Sequence, residues 1–322
     1  MELRSGNMEP ARPSTRLHLI DGTYELFRAH YSKRPDHRDP AGADRKATVG
    51  VVSSLLALLS DPEEAVTHLA VAFDNPIRSF RNDLFDGYKS DQGVEPALRA
   101  QFDAVEEAVR ALGVTVWSMR EHEADDGLAS GARRFAAEVD QVRIMTPDKD
   151  LGQCLRGDRV VQIDRRQKKL TDEAAFRAAR GFAPASIPDF LALTGDTADG
   201  IPGLPGFGEK SSALLLGVYP RLEDIPARAA AWTVRPRRAD ELAATLAASR
   251  DEALLYRRLA TLVDTVPLRE SLEELRFRGV PREAFQAWCA RVGSDTLRTA
   301  PRQWANDAIA PMLIGGSSGG PA

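Results

Sequence analysis

Four short apolar runs in this sequence each end at an acidic residue, and that repeated pattern constrains the fold more than any other feature. Leu17–Ile20 runs into Asp21, Leu69–Phe73 into Asp74, Val142–Met145 into Thr146-Pro147-Asp148, and Val160–Ile163 into Asp164. Between them lie segments of helical period: Thr48–Leu59, Gln101–Leu112, Ala124–Glu138 and Asp172–Arg180. Short apolar strands alternating with helices predict an α/β fold, a parallel sheet covered on both faces. Ligands of such sheets collect outside the carboxyl ends of the strands. Asp21, Asp74 and Asp148 therefore belong on one rim.

After about residue 185 the strand pattern fades. Ile187–Thr194, Lys210–Val218 and Arg238–Thr265 read as helices, joined in part by the basic, proline-broken stretch Trp232–Arg238. The expected organisation is a flexible leader over 1–16, a sheet domain over 17–185, a helical domain over 186–305 and a flexible Gly/Ser-rich tail over 306–322. At 322 residues the chain can bury full cores without staples. Its two cysteines exclude a disulfide framework and a cysteine-ligated zinc site. Neither an apolar leader nor a run long enough to span a bilayer is present, which predicts a cytoplasmic protein without a membrane partner. The formal charge of −4 means that any polyanion must meet a local basic patch.

Acid spacing carries the chemistry. Glu123-Ala-Asp125-Asp126 opens a helix after the strand-like Val114–Trp117, with positions 123 and 126 on one helix face. Asp148-Lys-Asp150 sets two carboxylates at a strand end, and Asp196-Thr-Ala-Asp199 is another pair three apart. Each alone reads equally as a helix cap or a polar turn. Gathered on one rim they would repel unless cations held them. Oxygen donors without His or Cys select hard ions, Mg²⁺ or Mn²⁺. Two such ions about 4 Å apart form a clamp for phosphodiester hydrolysis.

The second signal is Gly200-Ile-Pro-Gly-Leu-Pro-Gly-Phe-Gly-Glu-Lys210. Gly203, Gly206 and Gly208 leave amides accessible before a helix starting near Glu209, and Lys210 adds charge. This suits a cradle for a nucleic-acid backbone that reads no bases. The spacing before Lys210 does not match a Walker loop.

Together these features resemble the 5′-nuclease family, which includes flap endonucleases and the N-terminal 5′→3′ exonuclease part of bacterial DNA polymerase I. The resemblance rests on Leu19-Ile-Asp-Gly22, Gly50, Ala72-Phe-Asp74, Ser79-Phe-Arg81, Gly87-Tyr-Lys89, Glu123–Asp126, Thr146–Asp150, Leu193–Asp196 and Asp199–Lys210. It covers roughly residues 17–225 and extends weakly to about 305. It implies a PIN-like twisted sheet flanked by helices, a helical arch, and a C-terminal helix–three-turn–helix module that grips duplex DNA. It assigns Asp21, Asp74, Glu123, Asp125 and Asp126 to a first metal group, and Asp148, Asp150, Asp196 and Asp199 to a second. It further implies K⁺ held by main-chain oxygens of Leu193, Thr194, Pro202, Leu204 and Phe207. Gly203, Gly206, Gly208, Lys210 and Ser211 match the duplex-gripping loop. Lys89 and Arg81 fall where relatives neutralise the scissile phosphate, Tyr88 where a terminal base could stack, and Arg28 at a basic position. Gln92 stands where relatives commonly have Arg.

The expected activity is a monomeric, stand-alone bacterial enzyme acting on DNA 5′ flaps, nicks, gaps and RNA-primed ends during replication and repair. A PIN-type ribonuclease is the first alternative, disfavoured by the extra acids and the glycine loop. A catalytically inert DNA-junction binder is the second, disfavoured because all nine positions are acidic. Arg165-Arg-Gln-Lys-Lys169 reads as a solvated hairpin tip.

Overall fold

A computed structural model of the protein describes residues 14–305; the expected leader lies almost wholly outside them, and the tail entirely. Six strands form one sheet in the order β3-β2-β1-β4-β5-β6. They are β1 (Arg16–Asp21), β2 (His68–Asp74), β3 (Thr115–Met119), β4 (Gln141–Met145), β5 (Val160–Asp164) and β6 (Lys169–Thr171). The first five are parallel, and β6 returns antiparallel along β5. Within β1, Leu17 and Leu19 face one side while Ile20 faces the other, all fully buried. Burial on both faces explains why the central strands are predominantly apolar.

One face is covered by α1 (Gly22–His30), α2 (Lys46–Leu59) and α5 (Phe102–Ala111). Between β2 and α5, the chain contains only α3 (Arg81–Leu84) and α4 (Pro96–Arg99), each four residues long. The segment expected to arch over the rim is therefore largely irregular, because Gly87, Gly93 and Pro96 interrupt it and no apolar period sustains a helix. The opposite face carries α6 (Ala124–Phe135), whose Leu128, Ala132 and Phe135 pack on Leu17, Leu19 and Ala72. At Gly22 a Cβ would lie 2.5 Å from the Phe73 ring, so only glycine lets α1 leave the sheet this close to β2.

A second core is helical. It contains α7 (Glu173–Arg180), α8 (Ile187–Thr194), α9 (Glu209–Leu216), α10 (Ala239–Ala248) and α11 (Arg250–Ala260). The long helix expected over 238–265 is two helices, broken at Ser249. The chain then leaves this core. Leu262, Val266 and Leu275 pack with α6, and α12 (Arg282–Val292) and α13 (Asp295–Arg298) join the α2–α5 core through Phe285, Trp288 and Leu297. Residues from about 262 onward, expected with the helical half, thus cover the sheet domain. Among the described residues no helix is long and apolar enough to cross a membrane.

Candidate functional site

Strand β1 has β2 on one side and β4 on the other, so chain direction away from β1 reverses there and opens a crevice at its carboxyl end. Asp21 closes β1 and caps α1. Its Oδ1 accepts from the Tyr24 amide at 2.8 Å and its Oδ2 from the Thr146 hydroxyl at 3.1 Å. Burial, with Asp74 and Asp148 nearby, pushes its pKa up to about 7. Asp74 closes β2, and its Oδ1 accepts from the Ala124 amide at 2.8 Å, the first residue of α6. Burial raises its pKa as well. Asp125, in the first turn of α6, is driven well above the usual carboxylate range by burial and by Asp148, Asp21 and Asp74.

Asp148 and Asp150 follow β4. The Asp150 amide donates to Asp148 Oδ1 at 2.8 Å. Burial, then Asp148, Asp199 and Asp196, lifts the Asp150 pKa to about 8. Its Oδ1 is buried and has no hydrogen-bond partner. One carboxylate oxygen from each of Asp150, Asp196 and Asp199 lies within 4.8 Å of the others. Two charges at that spacing repel by roughly 3 kcal/mol at an effective dielectric near 20. Three converging acids with an orphaned buried oxygen are a donor set that fits a hard divalent ion.

Two lysines sit among these acids. Lys89 Nζ bridges Glu123 Oε2 at 2.8 Å and Asp199 Oδ1 at 2.9 Å. Burial works against its charge, yet Glu123 and Asp199 hold its pKa well above normal. Its amide also donates to the Asp199 carbonyl at 3.0 Å. Gly200, at φ +76°, allows this stitching, since a Cβ there would overlap the Gly87 carbonyl oxygen. Lys149 Nζ lies 2.7 Å from Asp196 Oδ2. Sequence reasoning gave Lys149 no role, although its place between Asp148 and Asp150 marks it. Nor did it give one to Thr146 or Ser79, whose hydroxyls hold Asp21 and Glu123.

The structure corrects several expected roles. Glu123 and Asp126 share a helix face that meets Arg81, and Glu123 also reaches the rim, where Lys89 links it to Asp199. Arg81 is 1% exposed. Its guanidinium donates to Glu123 at 3.0 Å, to both Asp126 oxygens at 2.8 Å, and to the carbonyls of Leu259 and Thr261. Asp126 also accepts from the amides of Glu123 and Val263. Every donor direction of Arg81 faces protein, which leaves none for a phosphate. Instead it joins α3, α6 and the end of α11. Burial disfavours the Glu123 charge, but Lys89 and Arg81 hold its pKa down at about 2. Tyr88 is 5% exposed within the helical core and its hydroxyl donates to Glu123 at 3.3 Å, so its ring offers no face to a base. Arg28 donates to Glu25 and to Ser54 at 2.9 Å, with a third of its side chain exposed. Arg165, expected in solvent, folds inward onto the same Ser54 and Glu25.

The glycine loop packs against the end of α8. Gly203, at φ +72°, backs directly onto Thr194 and Gly195, while the Leu204 amide donates to the Leu193 carbonyl at 2.9 Å. A Cβ at Gly195 would lie 2.7 Å from the Pro202 carbonyl oxygen, so the two turns present carbonyls at close quarters. Leu204 and Phe207 anchor the loop at 5% and 8% exposure, whereas Gly206, Gly208 and Lys210 are exposed beside the start of α9. Ser211 Oγ exchanges bonds with the Gly208 amide and carbonyl and so caps α9.

A parallel sheet with carboxylates along its C-terminal rim and an adjoining glycine hairpin defines a class, the metal-dependent 5′ nucleases. The family model described as "5'-3' exonuclease, N-terminal resolvase-like domain" matches residues 16–181, and "5'-3' exonuclease, C-terminal SAM fold" matches residues 182–283. The chain belongs to the 5′-3′ exonuclease family. DNA polymerase I of Bacillus caldotenax is 32% identical over 284 residues, 86% of this chain and 31% of that protein. DNA polymerase I of Pseudomonas aeruginosa is 36% identical over 273 residues, 84% of this chain and 29% of that protein. The chain thus spans about a third of the length of these relatives. Among solved structures, T5 5′-exonuclease with bound divalent metal ions (zinc) superposes with a TM-score of 0.61 at 18% identity, over 86% of this chain and 99% of that one. A bacteriophage T5 flap endonuclease in a pseudo-enzyme–product complex with DNA and metal ions gives a TM-score of 0.59 at 19% identity, over 91% and 97%. At these identities the two structures establish a shared fold.

Proposed function

We propose that the chain hydrolyses phosphodiester bonds at DNA 5′ ends and 5′ flaps, using divalent ions held by Asp21, Asp74, Asp125, Asp148, Asp150, Asp196 and Asp199. The observation that carries this reading is the convergence of these seven acids from five segments on one rim, with Asp150 Oδ1 buried and unpartnered. Mg²⁺ or Mn²⁺ bound there supplies Lewis-acid activation of water and of the phosphate. Asp126 supports this centre from behind by orienting the first turn of α6 through Arg81, and Glu123 links Arg81 to Lys89 at the rim. Lys89, whose Nζ lies 2.9 Å from Asp199 Oδ1, is assigned to the scissile phosphate. The DNA complex of the T5 relative supports a DNA substrate.

The Gly203–Ser211 loop is assigned to the duplex backbone, through the exposed turn at Gly206 and the charge of Lys210. The main-chain oxygens of Leu193, Thr194, Pro202, Leu204 and Phe207 are assigned to K⁺. We place the protein in the cytoplasm as a monomer serving replication and repair, including RNA-primed ends; its kinship to DNA polymerase I supports the pathway. We divide the chain near residue 185 and assign residues from about 262 to the first domain, a reading supported by their packing against α6 and the α2–α5 core.

The test is cleavage of a 5′-labelled and an internally labelled flap DNA, and of single-stranded RNA, with Mg²⁺, Mn²⁺ or EDTA. Ion-dependent cleavage of the DNA flap is expected. Preferential cleavage of RNA, or cleavage in EDTA, contradicts the proposal.

A further inference from the structure

A cavity of about 240 Å³ opens between the β5–β6 edge of the sheet and helices α7 and α8. Its wall includes Thr146, Pro147 and Lys149, the segment that carries Asp148 and Asp150, so it adjoins the carboxylate rim. Nothing in the proposed hydrolysis uses it. Its lining has two chemistries. Phe176, Ile187, Phe190 and Leu191 make an apolar floor, and Lys149, Lys169 and Arg180 bring three cations to it. The acid in the lining, Asp164, is engaged by the amides of Arg166 and Gln167 at 2.8 and 3.1 Å.

Arg180 is held without being neutralised. Its guanidinium lies 5.1 Å from the centre of the Phe190 ring and 5.9 Å from that of Phe182, and those two rings stack on each other. Lys149 and Arg177, its neighbours, each pair with a carboxylate. Arg180 and Lys169 have no such partner among the described residues. A stacked guanidinium keeps its N–H edge free for a planar or tetrahedral anion. An apolar, partly aromatic floor beside free cations matches a molecule with a flat face and an anionic end. Lys149, paired with Asp196, is shared between the cavity and the rim.

We propose that this cavity seats a single nucleotide, with its phosphate on Arg180 and Lys169 and its base against the floor that includes Phe176 and Phe190. The proposal rests on the nuclease reading, because hydrolysis that leaves a 3′ hydroxyl delivers 5′-phosphorylated nucleotides beside this wall. The same chemistry would hold an unpaired nucleotide still within a strand.

The test is calorimetric titration of thymidine 5′-monophosphate into the full chain in EDTA, so that no divalent ion bridges the phosphate to the rim. Thymidine, inorganic phosphate and a short oligothymidylate are titrated alongside. The mononucleotide is expected to bind at least tenfold more tightly than thymidine or phosphate alone. Arg180→Ala should weaken it about tenfold, the value of one charge-assisted contact, and Lys169→Ala by a smaller factor. Oligothymidylate binding more tightly than the mononucleotide, with the same loss in Arg180→Ala, identifies the occupant as part of a strand and supports the site. Phosphate binding as tightly as the mononucleotide, or an Arg180→Ala affinity equal to the parent's in a variant of unchanged circular dichroism, overturns it. A chain that cleaves flap DNA but binds no mononucleotide overturns this site alone. A chain that binds the mononucleotide but cleaves no DNA with any ion overturns the nuclease reading and leaves the site standing.

Discussion

Replacing Arg81 with alanine separates two accounts of that residue. If it were a phosphate contact, truncation would weaken catalysis and leave the fold intact. In the structure it is the counter-ion of two buried acids, since Asp126 is fully buried and Glu123 is 6% exposed. Three of its hydrogen bonds go to those carboxylates, at 2.8 to 3.0 Å, and two more reach carbonyls at the end of α11. A charge-assisted bond contributes roughly 1.5–3 kcal/mol. Bonds within one network do not add, and breaking a buried pair from one side costs about 3–5 kcal/mol. Arg81→Ala is therefore expected to lose about 3–5 kcal/mol of stability. Arg81→Lys should recover only part of it, because an ammonium cannot reproduce the two-pronged contact with Asp126. Urea denaturation followed by tryptophan fluorescence reads this directly, since Trp117, Trp232, Trp288 and Trp304 are all buried. A variant within about 1 kcal/mol of the parent that has lost DNA cleavage would refute the reasoning and restore the phosphate role.

Asp148→Ala and Asp125→Ala should each abolish cleavage in Mg²⁺ while DNA binding stays measurable by gel shift; near-native turnover in either would remove that residue from the metal set. Lys210→Ala should weaken duplex binding and lower the log–log salt slope by about 1, as one phosphate contact predicts; unchanged affinity across salt concentrations would contradict its role. His18 is fully buried on β1, and burial lowers its pKa despite the Glu64 carboxylate 3.1 Å away. A histidine with a folded pKa below its unfolded value gives stability that is complete above about pH 6.5 and falls as pH drops below it. His18→Gln should therefore flatten the stability loss between pH 7 and pH 5 in urea titrations; an unchanged pH profile would count against this assignment.

The sheet and its rim were readable because buried parallel strands leave short apolar runs; Asp21 and Asp74 follow those runs directly, and Asp148 follows Thr146-Pro147. The helix period placed Glu123 and Asp126 together but could not say which way their face turns. That depends on Arg81, 42 and 45 residues away in sequence, and on carbonyls at Leu259 and Thr261. Tyr88 was misjudged for a related reason. An aromatic residue beside a lysine looks exposed in sequence, whereas here the Gly87–Gly200 backbone contact draws it into the helical core. The return of α12 and α13 to the sheet domain depends on Phe285 and Trp288 meeting α5, a long-range contact with no local signature. The glycine loop was legible as a backbone turn, because Gly203 and Gly206 hold φ of +72° and +84°.

The central claim is that divalent ions hold the rim carboxylates together. Crystals of the full chain soaked in Mn²⁺ and measured at a wavelength where manganese scatters anomalously test it most directly. The account predicts an anomalous peak within bonding distance of the Asp150, Asp196 and Asp199 oxygens, lost in crystals of Asp150→Asn. A map without a peak among these side chains, from crystals shown by fluorescence to contain manganese, would contradict it.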